Sequence, residues 1–229
     1  MRDLFLCEGD GPSSASMTAR LIVGLPLGIV TDPADHMTRI TGSGRSCSRL
    51  SVAPAIVSRM GELVERVDER DRVLGVVDRA EAERRRWTHR IATTICRDPT
   101  GRILVLRRAD RHPRFPGRYD VMVGGAVNVG ESYEDAAARE LAEELGAGVP
   151  VRFLFTFLCR DGVSPVWFGV HEAVITEPLV PDPSEIAWHA WLTELGLREV
   201  VDRWPFVPGG REALRRYLAF GNADRPAAG

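Results

Sequence analysis

The sequence predicts an α+β fold built on a mixed β-sheet. Three observations predict it. Short apolar runs bounded by turn residues outnumber segments with helical spacing. The helical segments fall between strands without a regular strand–helix–strand alternation, which argues against an all-parallel sheet. No internal repeat is visible, so the chain does not read as a solenoid or propeller.

Regular patterning begins near Met60. Of the 16 aromatic residues, only Phe5 precedes it. Residues 1–59 are rich in Gly, Ser, Pro and Thr and show no sustained period, so they cannot bury enough apolar surface to offset ordering entropy. They are expected to be a disordered extension, with a folded domain over 60–221 and a flexible tail over 222–229. A sharper expectation is that Met60 is the true start and the upstream residues are a mis-assigned start. The apolar run LIVGLPLGIV (21–30) is too short to span a membrane. As a signal-peptide core after Met17 it lacks a following A-x-A-like site.

From Met60 the elements follow in order. ELVERVDE (62–69) and RVLGVVDR (72–79) read as two strands around a tight polar turn. RIATTIC (90–96) and RILVLRRA (102–109) form a second pair, split by the turn signal DPTG. DRHPRFPGRYDVMVGG (110–125) reads as a long loop. Ser132 caps a helix of about thirteen residues, with Asp135 completing an S-x-x-D box and Gly146 as the stop. Ala137, Ala138, Leu141 and Leu145 share its core face, and Arg139, Glu140, Glu143 and Glu144 lie opposite. VRFLFTFLC (151–159) and VWFGVHEAVI (166–175) flank the hairpin-like RDGVSP, and IAWHAWLT (186–193) is a further strand. Thr193 starts a short helix, and REALRRYLAF (211–220) is helical with Gly221 as its stop.

Composition excludes several chemistries. The net charge of −2 gives no support for bulk nucleic-acid or anionic-membrane binding. All thirty basic residues are arginine, which rules out a Schiff-base lysine and a G-K-[ST] phosphate loop. Cys7, Cys47, Cys96 and Cys159 form no C-x-x-C pair, so a zinc site or disulfide framework is not indicated and a cytoplasmic setting fits best.

The helix holds the functional signal. Like charges three and four apart cost a few tenths of a kcal/mol per pair, so the acidic face is either a solvated surface or a site. The surrounding residues favour a site. Gly125, five residues, Glu131, seven residues, then Arg139-Glu140-Leu141-x-Glu143-Glu144-x-Gly146 resembles the Nudix box, with Ala147 smaller than the usual final aliphatic residue. The resemblance implies a Nudix α/β/α sandwich carrying the Nudix loop–helix motif. It implies that Mg²⁺ or Mn²⁺ is held by hard carboxylate oxygens, so that repulsion becomes coordination. It implies Glu140, Glu144 and Glu143 as metal ligands with a carbonyl from Gly125 or Gly124, and Glu140 or Glu143 as the base. Arg139 orients its neighbours, and Glu131 supports the loop–helix junction. Glu185 matches the place where such proteins often carry a further glutamate, as ligand or base. Arg107, Arg108, Arg114 and Arg118 surround the Pro116-Gly117 loop and either contact substrate phosphates or form an ordinary basic surface.

Over roughly residues 62–220 the chain also resembles the branch that contains isopentenyl-diphosphate isomerase. That enzyme's C-G-H-P is replaced by Gly124-Gly125-Ala126-Val127, an earlier histidine falls on Ala82, and only His89 survives. The implied function is therefore cleavage of a diphosphate linkage in a small molecule, a nucleoside diphosphate joined to another group, by a metal-activated water. A non-catalytic sensing module and the isomerase are the alternatives. Family members often pair, so a homodimer is allowed, although no feature of the sequence demands one. The start site is checked by mass spectrometry of the native protein's N-terminus: the first peptide begins at Met60, and any peptide from residues 20–59 overturns that expectation.

Overall fold

The computed structural model describes residues 61–223, so the expectations for residues 1–59 and 224–229 lie outside the described residues. All seven predicted strands form. They are β1 (Leu63–Val67), β2 (Val73–Asp78), β3 (His89–Arg97), β4 (Ile103–Arg108), β7 (Arg152–Cys159), β8 (Val166–Val174) and β9 (Ile186–Leu192).

Two further strands, β5 (Tyr119–Asp120) and β6 (Met122–Ala126), lie in the segment read as a loop. Its glycines and prolines hid them. β6 is nevertheless paired with β3 over five residues, and the sheet supplies the order that local propensity does not. A short helix, α1 (Arg79–Arg85), was also not anticipated. Asp78 caps it by accepting from Glu81 N–H at 2.9 Å, so the D-x-x-E spacing was its sequence signal. The helices α2 (Tyr133–Leu145) and α3 (Glu194–Val200) start at Ser132 and Thr193 as expected. The last helix, α4 (Pro208–Ala223), begins earlier than expected and runs past Gly221, two residues into the expected tail.

β3 organises the sheet. β8 runs parallel to it along its whole length, with Ala92 opposite Gly169, while β6 runs antiparallel, with Thr93 opposite Gly124. β4 meets β3 at the hairpin and carries β5 and β9. One parallel pair among antiparallel ones makes the sheet mixed. β3 is buried on both faces, which explains its unbroken run of small and apolar residues.

One face of the sheet packs on α2 through Cys96, Leu104, Leu106 and Ala173 against Leu141 and Leu145. The other meets α4, where Arg97 and Glu172 reach Tyr217 and Phe168 abuts Gly209. The result is an α/β/α sandwich. The buried face of α2 is Ala136, Ala137, Leu141 and Leu145. Ala138 is exposed and Ala136 takes its place, because Val127 and Ala92 close over that flank. Among the described residues no helix is long and apolar enough to cross a membrane.

The start of α4 packs closely against a buried acid. Asp120, 3 % exposed, accepts through Oδ1 from the N–H groups of Val121 (2.8 Å) and Met122 (3.2 Å). A Cβ on Gly210 would stand 2.0 Å from that same oxygen. Alanine would gain up to about 1 kcal/mol of helix propensity, but the overlap with a hydrogen-bonded, buried carboxyl costs about 1–3 kcal/mol. Gly210→Ala is therefore expected to lower the melting temperature in a thermal scan, and an unchanged or raised value would contradict this packing.

Candidate active site

A polar cleft of about 310 Å³ opens where α2 crosses the turn at the end of β6. Its wall is built from the acidic side of α2. The rotation of the helix is set by its apolar face, which packs on the sheet through Leu141 and Leu145, and its ends are set by Ser132 Oγ, which accepts from Asp135 N–H at 3.1 Å, and by Gly146 at φ 66°.

Gly125 lets the sheet come close to the helix, and Gly124 lets β6 come close to β3. A Cβ on Gly125 would lie 2.5 Å from Glu140 Oε1. Gly124 has φ +150°, and a Cβ there would lie 2.1 Å from the Ala92 carbonyl. The Gly124 N–H instead donates to Glu144 Oε1 at 3.1 Å.

Arg139 ties the carboxylates together. It grips Glu131 with two parallel hydrogen bonds of 2.9 Å, donates to Glu140 Oε1 at 2.7 Å and to the Ala126 carbonyl at 3.1 Å, and stands 3.4 Å from Glu143. Hydrogen bonds from Arg139 hold the Glu131 carboxyl below its usual range. Glu140 goes the other way. Burial raises its pKa and outweighs the attraction of Arg139. Burial is stronger still at Glu144, where it and the neighbouring Glu140 charge push the pKa up to about 8 against the partial relief of Arg108. Glu143 is the exposed member, at 60 %.

Glu185 also lines the cleft, just before β9. The segment before it docks on the end of α2, with Val180 N–H on the Leu145 carbonyl (2.9 Å) and Asp182 N–H on the Glu144 carbonyl (2.8 Å). His112 Nε2 lies 2.8 Å from Glu185 and 2.5 Å from the Arg108 guanidinium. A neutral imidazole can donate to the first or accept from the second with that nitrogen, not both.

The four arginines of the Pro116-Gly117 region separate. Arg108 and Arg114 line the cleft. Arg107 does not, because alternate residues of β4 face opposite sides of the sheet, and its guanidinium pairs with Asp110 at 2.7 Å. Arg118 is exposed and directed to the Phe206 carbonyl at 3.5 Å. Arg79, Glu62, His112 and Asp182 line the cleft without having been singled out. Each stands far in sequence from the box, and no spacing links them to it.

Among the described residues no three carboxylate or imidazole groups already converge as a closed metal cage. The donor set still suits a hard divalent cation. Glu140, Glu144 and Glu185 crowd one wall, and the Glu144 carboxyl receives a single backbone hydrogen bond for its burial.

Residues 87–217 match the family model described as the NUDIX domain. The chain is 42 % identical over 176 residues to a Nudix hydrolase of Streptomyces coelicolor, SCO1686, covering 76 % of this chain and 97 % of that protein. It is 37 % identical to a Nudix hydrolase of Pseudomonas aeruginosa, PA4841, covering 69 % and 94 %. Among solved structures, DR0079 from Deinococcus radiodurans aligns with a TM-score of 0.59 at 29 % identity, over 68 % of this chain and 98 % of that one.

The Glu144 environment has a measurable consequence. Its folded pKa of about 8 lies above the ordinary 4.5, so the native state binds the extra proton. The stability this gives is full below about pH 4.5 and is lost as pH rises through 8, an effect of a few kcal/mol. His89, lowered by burial to about 4, acts oppositely, adding stability as pH rises toward 6.5. Glu144→Gln removes only the first effect and keeps an acceptor for Gly124. In chelator-containing buffer, the melting temperature of the variant should gain on the wild type steadily from pH 4.5 to 8. A constant difference would show that Glu144 is not desolvated.

Proposed function

The chain belongs to the Nudix family, and from that premise we propose that it is a divalent-cation-dependent hydrolase that cleaves a diphosphate linkage joining a nucleoside to another group. The observation that carries this reading is Glu144: a carboxylate held beside Glu140 and Glu185 in a partly dry wall, whose ionised form a bound cation would favour at neutral pH.

Glu140 and Glu144 would hold Mg²⁺ or Mn²⁺, with Glu143 and the Gly125 carbonyl as further donors. When bound, such an ion neutralises charge on the diphosphate and lowers the pKa of an attacking water. The chain's own groups do the rest. Arg139 fixes Glu140 and Glu131 by charge-assisted hydrogen bonds, so the wall does not splay when empty. Arg108 and Arg114 offer guanidinium groups to phosphate oxygens. Glu143, exposed and weakly paired, has the freedom to take a proton from water, and Glu140 is the alternative base. His112 stands between Glu185 and Arg108 and holds the two side chains at the cleft.

Double-bond isomerisation needs an acid or nucleophile in the cleft where this chain has Gly124 and Gly125. The cysteines among the described residues are elsewhere. Cys96 and Cys159 are buried and unpaired, and burial pushes the Cys96 thiol up to about 12. Two free thiols also support a cytoplasmic location.

Chromatographic detection of the nucleoside monophosphate formed from a panel of nucleotide sugars, ADP-ribose, dinucleotides and oxidised nucleoside triphosphates tests the reading, because water splits a bridging diphosphate into two phosphomonoesters and a triphosphate into monophosphate and pyrophosphate. The wild type should turn over at least one in the presence of Mg²⁺ or Mn²⁺. Glu144→Gln should lose about 100-fold or more. Binding without turnover by the wild type would identify a sensing module instead.

A further inference from the structure

The turn after β4 gathers three cleft residues, Arg108, His112 and Glu185. Ala109 N–H donates to the Glu185 carbonyl at 2.8 Å, and His112 N–H donates to the Ala109 carbonyl at 3.0 Å. The His112 ring is thereby buried between the other two side chains.

Each nitrogen of that ring faces one donor and one acceptor. Nε2 stands 2.5 Å from Arg108 Nη2, which only donates, and 2.8 Å from the Glu185 carboxylate, which only accepts. Nδ1 stands 2.9 Å from the Arg114 N–H and 2.6 Å from the Arg114 carbonyl. A neutral imidazole carries one ring proton, so two arrangements are complete. With the proton on Nδ1, the ring donates to the Arg114 carbonyl and accepts from Arg108. With the proton on Nε2, it donates to Glu185 and accepts from the Arg114 N–H. Nδ1 also lies 3.1 Å from Arg108 Nη2, but its one lone pair then serves the closer Arg114 N–H. The first arrangement holds the two shortest contacts and gives Glu185 no proton from the ring. The second holds Glu185 and sets Arg108 free. Burial and the Arg108 charge lower the pKa of the ring, so it is neutral near pH 7 in both.

We propose that His112 is a positioning residue that couples phosphate binding at Arg108 to the placement of Glu185. The proposal rests on the hydrolase reading for the phosphate that draws Arg108 away. When Arg108 Nη2 turns to a phosphate oxygen, Nε2 loses its donor. Nδ1 then gives its proton to water, water returns one to Nε2, and Nε2–H donates to Glu185. The ring keeps one proton throughout, and no net charge changes. The Glu185 side chain, 38 % exposed, is therefore fixed in the cleft when the phosphate site is filled. The ring is a two-state element whose balance the ligand biases by occupying one of its partners.

NMR of the full chain, labelled at the histidine ring nitrogens, reads the tautomer directly, because protonated and bare ring nitrogens resonate far apart. His112→Gln identifies the signal by its loss. The probe is methylenediphosphonate with Mg²⁺, a diphosphate that water does not split. The free wild type should carry its proton on Nδ1, and the bound probe should move the balance toward Nε2 by about tenfold or more. Mg²⁺ alone should leave it unchanged. Arg108→Ala should carry the proton on Nε2 with no ligand present. A probe that fails to bind in calorimetry, a tautomer that ignores the bound probe, the same change on Mg²⁺ alone, or a folded Arg108→Ala that keeps the proton on Nδ1 overturns the proposal. Turnover by the wild type separates the two readings. Turnover with a fixed tautomer keeps the hydrolase and refutes the coupling, whereas a tautomer change on probe binding without turnover of any nucleotide does the reverse.

Discussion

Carboxylates that repel one another are held in a partly dry wall, and much of the structure is arranged so that they stay there. Arg139 is the counterweight. Its five donors reach Glu131, Glu140, Glu143 and the Ala126 carbonyl, so one guanidinium spans the loop, the helix and the end of β6. A lysine could not do this, because a point charge lacks the planar fork needed to bind one carboxylate with two bonds and others at its flank. Glu144 lies outside that grip. It is left with the Gly124 N–H and a desolvation penalty, which is why it is the carboxylate we propose as a cation ligand.

The rest of the site follows from bringing helix and sheet into close approach. A side chain at 124 would collide with the Ala92 carbonyl and one at 125 with the Glu140 carboxylate, so Gly124 sets the approach of β6 to β3 and Gly125 its approach to α2. The 180–182 segment uses the last carbonyls of α2 as acceptors, which satisfies orphan groups of the helix end and delivers Glu185 to the cleft. Strand parity then decides among the arginines. Arg108 and Arg107 are neighbours in sequence, but the two-residue period of β4 sends one to the cleft and the other to Asp110.

The box and its helix were legible because their information is local. A cap at Ser132, a stop at Gly146 and charges at helical spacing are all fixed within a few residues, and the structure reproduces the helix they specify. The strands were legible for the same reason. What escaped was order imposed from a distance. β6 contains two glycines and little strand propensity, and it is a strand because β3 pairs with it. Ala136 is buried in place of Ala138 because of Val127, outside the helix. Arg79 and His112 join the cleft through the sheet's topology, and no motif connects them to the glutamates.

The sequence by itself determined the family, the fold class and the helix that carries the acidic side chains, since each depends on spacing along one segment. Only the tertiary structure decided which arginines face the acids and how deeply each carboxylate is desolvated. Those properties are set by which faces of separate strands and helices meet, and burial and electrostatic fields are sums over neighbours that sequence order does not reveal.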